Sequence, residues 1–147
     1  MSKKHIISTN RKIYHNFEVI ETFEAGIVLT GSEVKSVRNF KVSLQDSYCQ
    51  IEKGEIYICN LHIAPYEFST TTKFNPKRKR KLLLHKHQIN KLIGKLTQKG
   101  LTLVPSEVYF NERGFCKITI CLVKSIKKYD KREKIKKREI EKEMRSY

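Results

Sequence analysis

Apolar and polar positions along this chain fall into short period-two runs separated by turns, with two stretches of helical spacing between them. Cys116, Ile118, Ile120 and Leu122 alternate with Lys117, Thr119, Cys121 and Val123, so Phe115 to Val123 predicts a strand. Together with Leu101 to Phe110 it predicts a hairpin around Asn111-Glu112-Arg113-Gly114. Leu44 to Ile51 and Glu55 to Ile63 predict a second strand pair around Lys53-Gly54. An earlier strand is expected from about Phe17 to Leu29. It ends in the apolar run Ile27-Val28-Leu29 and bends at Ala25-Gly26, where glycine tolerates a bulge. Helical spacing is clearest at Ile89, Leu92, Ile93 and Leu96, and Gly100 closes that helix. Several strands with one interposed helix suggest a mainly β protein, an antiparallel barrel of the oligonucleotide-binding kind, whose closure removes exposed sheet edges.

The second helical stretch runs from Ser32 to about Asn39. Thr30 and Glu33 stand at capping-box spacing, so the Thr30 hydroxyl can accept the Glu33 N–H while the Glu33 carboxylate accepts the Thr30 N–H. Val34 and Val37 would face a core, and Lys35 and Arg38 would share an outward face.

The flanks are polar. Residues 1–16 read as a flexible basic arm, 17–124 as the barrel domain and 125–147 as a basic tail that is disordered when free. A long irregular loop is expected over residues 66–80, ending in the basic run Lys77 to Lys81. From Lys124 onwards there are 11 Lys and Arg against 5 Asp and Glu, with too few apolar residues to dock on a core. Ile140, Met144 and Tyr147 would line one weak stripe if a partner induced a helix there.

Charge narrows the function. The 147 residues hold 31 Lys and Arg against 15 Asp and Glu, a net +16, so a polyanion is the expected partner and nucleic acid its commonest form. An anionic membrane surface is the competing reading, but no apolar stretch approaches the roughly 20 residues a spanning helix needs. The N-terminus lacks a signal-peptide core. Cys49, Cys59, Cys116 and Cys121 form no Cys-x-x-Cys pair, so reduced thiols are expected rather than a zinc site. No phosphate-binding glycine loop or nucleophile elbow is present. His85 and His87 could serve a ribonuclease as acid and base; the preferred reading is that His85 contacts phosphate or caps the helix starting near Lys86. Neither metal nor cofactor is expected.

What the chain offers instead is cations interleaved with stacking and hydrogen-bonding groups. Lys35, Arg38, Lys79, Arg80, Lys81 and Lys86 are candidate phosphate contacts. Asn10, His15 and Glu24 are less usual candidates. A carboxylate gains nothing from phosphate, but it accepts hydrogen bonds from base amines or 2′-hydroxyls; on the residues alone, a solvated strand residue is the favoured reading of Glu24.

Glu24-Ala25-Gly26-Ile27-Val28-Leu29-Thr30-Gly31-Ser32-Glu33-Val34-Lys35-Ser36 resembles the SsrA-binding protein family, also called small protein B. Asn10-Arg11-Lys12 with His15, Asp46-Ser47-Tyr48, and His62 to Tyr66 are similar to family motifs in family order. So are Arg80 to Lys86, Gly100 to Pro105, and Tyr129-Asp130-Lys131-Arg132. The resemblance implies a Greek-key barrel flanked by helices and a non-enzymatic cytoplasmic adaptor, monomeric, in bacterial trans-translation. It implies binding to the tRNA-like domain of transfer-messenger RNA, with Asn10 and Glu24 at the family's RNA-contact positions and Arg11 and Lys12 beside them. It further implies the small ribosomal subunit as partner, at its decoding site and messenger channel. Elongation factor Tu and alanyl-tRNA synthetase are implied indirectly, through the RNA. Lys127, Lys128, Tyr129, Asp130, Lys131 and Arg132 would contact the ribosome, followed by Lys136, Lys137, Arg138, Ile140 and Met144 as a helix in the channel. The family's Gly-Lys-Lys is here Ser125-Ile126-Lys127. Its glycine at the position of Phe40 is absent, so a left-handed helix cap is expected at Asn39 or nowhere. The alternative reading is a structural ribosomal protein or general RNA-binding protein of the same barrel class.

Overall fold

The computed structural model describes residues 4–66, 75–98 and 100–126. The tail positions from Lys127 to Met144, and residues 67–74 of the long loop, lie outside the described residues.

The strands are β1 (His5–Thr9), β2 (Phe17–Ile27), β3 (Val42–Ser43), β4 (Tyr48–Glu52), β5 (Glu55–Cys59), β6 (His62–Ile63), β7 (Arg80–Leu83), β8 (Leu101–Phe110) and β9 (Cys116–Ser125). The helices are α1 (Ile13–Asn16), α2 (Gly31–Arg38) and α3 (Lys86–Leu96). A seven-stranded sheet has the order β1-β8-β4-β5-β7-β2-β9 and closes through β8–β9, with every pairing antiparallel. β4, β5 and β7 form a meander, and β8, reached through α3, returns to lie beside β4, the Greek-key arrangement. β3 and β6 make a separate two-stranded patch. It exists because Asn60, at φ 59°, breaks the expected strand Glu55 to Ile63 in two. The turn expected at Lys53-Gly54 is present, with both residues at positive φ (50° and 76°), as a two-residue hairpin loop requires.

One core fills the barrel. Ile118, Ile120 and Leu122 of β9 meet Phe23, Ala25, Ile56, Ile58, Leu82 and Leu103 there. α3 closes it with Leu92, Ile89 and Leu96, while Ile93 is left partly exposed. The opposite face of β9 is buried too, because Ile13 of α1 covers Cys121, Val123 and Val104. Residues 4–16 therefore differ from the flexible arm expected over residues 1–16. β1 pairs with β8, residues about a hundred positions away, and Ile13 anchors a small second cluster. The bulge in β2 falls between Val19 and Glu21 rather than at Ala25-Gly26. Gly26 answers to a different constraint: a Cβ there would lie 3.3 Å from the Leu83 Cβ of β7.

The capping box of α2 is complete, with the Glu33 N–H donating to Thr30 Oγ1 at 3.2 Å and the Thr30 N–H to Glu33 Oε1 at 2.9 Å. Its C-terminus corrects the expectation. Asn39 has φ −91° and it is Phe40 that turns left-handed, at φ 61°. The Lys41 N–H bonds Ser36 O and the Phe40 N–H bonds Val37 O, both at 3.0 Å, which is the Schellman pattern built on a phenylalanine.

Candidate nucleic-acid interface

Four neighbouring strands bring the first group of candidates together. Asn10 leaves β1 with its N–H on Ser106 O of β8 (2.7 Å), Ser106 Oγ lies 3.4 Å from Thr119 O of β9, and Thr119 is the ladder partner of Glu24 on β2. Arg11, Lys12 and His15, all exposed, follow Asn10 into the turn and α1. Asn10, Arg11 and Lys12 line a cleft of ≈ 740 Å³ whose far wall is the segment from Val42 to Ser47.

Glu24 is not isolated. Lys4 Nζ lies 3.1 Å from Glu24 Oε1 and 3.3 Å from Glu107 Oε1, and 4.6 Å from the centre of the Tyr109 ring. Thr119 Oγ1 donates to Glu107 at 3.1 Å. The Lys4 ammonium, together with the Tyr109 hydroxyl, holds the Glu24 carboxyl below the usual range. Burial, reinforced by Glu24, pushes Tyr109 up to about 12. Glu24 is nonetheless 59% exposed, so its carboxylate stays available as an acceptor. Lys4, Tyr109 and Glu107 carried no local signal, since only the β1–β8–β9–β2 ladders put them beside Glu24.

A second group surrounds α2. Lys35 and Arg38 project from its exposed side, Lys35 Nζ 5.2 Å from the Tyr66 ring centre and the Arg38 guanidinium carbon 4.9 Å from that of Phe110. On the barrel wall, Lys79 pairs with Glu52 and lies 4.8 Å from the Tyr57 ring centre, and Lys81 Nζ lies 3.0 Å from Glu55. His85 is the N-cap of α3, with Lys86 and His87 exposed behind it; the two imidazoles stack at 5.6 Å and 11°.

Arg80 does not belong with these. It is fully buried: Nε donates to Glu33 Oε2 at 2.6 Å, Nη1 to Leu61 O at 2.7 Å and Nη2 to Pro76 O at 3.1 Å. Every branch of its guanidinium is satisfied inside the protein, so it cannot reach a phosphate. Burial pushes the Glu33 carboxyl up, but Arg78, the Thr30 N–H and Arg80 outweigh it and hold the group below its ordinary value. A run of five basic residues hides this arginine. The signal that exposes it is register, because Arg80 and Leu82 share the inward face of β7.

Among the described residues no group of three or more His, Cys, Asp or Glu could hold a metal, and no helix is long and apolar enough to cross a membrane. A closed antiparallel barrel with exposed cations, stacked rings and a partnered but accessible carboxylate defines an RNA-binding barrel protein. The family model for the SmpB protein matches residues 7–147. An SsrA-binding protein of Pseudothermotoga lettingae is 51% identical over 142 residues, covering 97% of this chain and 95% of its own. That of Thermus thermophilus is 52% identical over 128 residues, covering 87% and 89%. A solved chain described as "tmRNA-SmpB: a journey to the center of the bacterial ribosome" is 48% identical, with a TM-score of 0.68, and covers 87% of this chain and 93% of that one. The chain belongs to the SmpB family.

Proposed function

We propose that this chain is the transfer-messenger RNA adaptor of trans-translation. It binds the tRNA-like domain of that RNA and delivers it to ribosomes stalled without a codon, so that the nascent chain is tagged and the ribosome released. Family membership over residues 7–147 is the observation that carries the reading. The geometry supports it: Asn10 and Glu24, the positions matched to RNA contacts, lie along one four-strand surface, flanked by Arg11, Lys12 and His15. Glu24 accepts from base or ribose donors, Lys35, Arg38, Lys79, Lys81 and Lys86 neutralise phosphates, and His85 closes the basic edge at the start of α3. The segment from Lys127 to Met144 is assigned to the ribosome, at the decoding site and messenger channel. Elongation factor Tu and alanyl-tRNA synthetase act on the RNA rather than on this chain. The protein works in the cytoplasm, as a monomer and without catalysis. RNA copurifying with the chain from cells decides the matter when sequenced. The adaptor reading expects transfer-messenger RNA as the dominant species and association with a minority of ribosomes. Stoichiometric recovery with every ribosome would instead identify a structural ribosomal protein.

A further inference from the structure

Phe40 is poorly explained by stability. Its backbone is left-handed at φ 61°, a conformation that penalises any residue with a Cβ, and its side chain is 59% exposed, so burial does not offset the penalty. Glycine would complete the same Schellman motif without strain. An outlier of this kind points to what the side chain meets outside the molecule.

Its surroundings say what that is. The His5 ring stands edge-on to Phe40, with centroids 5.8 Å apart and an interplanar angle of 77°, which leaves a face of Phe40 to solvent. His5 is the ladder partner of Phe110, over whose ring the Arg38 guanidinium lies. Lys41 is exposed beside it. A flat apolar ring, braced by a second ring and bordered by Arg38 and Lys41, is the chemistry that binds an unpaired nucleotide: the ring stacks the base while the cations take the phosphates. The positive border disfavours a cationic partner, and a duplex presents no free base face.

We propose that Phe40, braced by His5, is a stacking platform for an unpaired base of the RNA that this chain carries. This rests on the adaptor reading and adds to it a contact whose energy is independent of charge. Phe40→Gly separates the contact from the fold, because glycine suits the backbone there. The probe is the transcribed tRNA-like domain of transfer-messenger RNA, titrated at several salt concentrations alongside melting curves of each protein. Phe40→Gly is expected to weaken binding about five- to tenfold, the lower range for a stacked base. The slope against salt should be unchanged, and the melting temperature equal to or above that of the wild type. Phe40→Tyr should bind as the wild type does. Wild-type affinity in Phe40→Gly would overturn the proposal and leave the ring to another partner. A loss that follows a lowered melting temperature would overturn it as well, since Phe40 would then be structural. A wild-type chain that does not bind this RNA would sink the adaptor reading itself.

Discussion

Glu33 on α2 and Glu24 on β2 each hold a cation from a distant part of the chain, in opposite settings. The Glu33 carboxylate and the Arg80 guanidinium are 2% and 0% exposed and share their bonds with Thr30 and Arg78. Glu24 and Lys4 are 59% and 35% exposed, on the outside of the sheet. The first pair is a brace. It fixes the start of α2 to β7 and, through Leu61 O and Pro76 O, to the chain on either side of the long loop. The second is an exchangeable contact: water already solvates the carboxylate, so an RNA donor can replace Lys4 at little cost. A carboxylate paired with a cation thus acts as a structural element where solvent is excluded and as an open, exchangeable contact where it is not.

The largest way to break this contrast is Arg80→Met. It strips a buried carboxylate of its one buried cation among the described residues and leaves two carbonyls unpaired, so a loss of about 3–5 kcal/mol is expected in chemical denaturation. Glu33→Leu combined with Arg80→Met should recover part of that loss, since removing both charges avoids the orphan. A fully stable single variant would refute the brace.

Acid titration sharpens the same point. Glu33 titrates below its unfolded value, so its contribution is present above about pH 4.3 and lost as pH falls through the folded value. Glu33→Gln should be less stable at neutral pH and show a shallower acid limb in a stability–pH series. An unchanged limb would mean other carboxylates govern acid unfolding.

Glu24→Gln tests the other half. Stability should move by less than about 1 kcal/mol, while affinity for the tRNA-like domain should fall about tenfold despite the gain in positive charge. Equal or tighter binding, measured by titration, would show that net charge alone sets affinity. The smallest effect is expected from Lys81→Ala, whose pair with Glu55 is open to solvent. Stability should hardly change, and the slope of log affinity against log salt should become shallower by about one. A parallel line would remove Lys81 from the phosphate contacts.

Much of the architecture was legible because the signals are local. The Thr30–Glu33 box, the Lys53-Gly54 turn, the β8–β9 hairpin and the α3 stripe each lie within a few residues, and each is present. The misreadings share a cause. β1 looked like a free arm because its partner lies about a hundred residues on. Arg80 looked like a phosphate contact because a basic run suggests solvent, whereas its strand register turns it inward against Glu33. Phe40 took the left-handed conformation that Asn39 suits better, because the turn between α2 and β3 has to occur at that position.

By itself the sequence determined where helices start, where hairpins turn, which strand faces are apolar, and the excess of positive charge that calls for a polyanion. Those properties depend on hydrogen bonds and periodicities spanning a few residues. The tertiary structure alone decided which charges are available. Whether a glutamate or a basic residue meets water or protein depends on strands that pair across the whole chain, and burial separates the Glu33–Arg80 brace from the open Glu24–Lys4 contact.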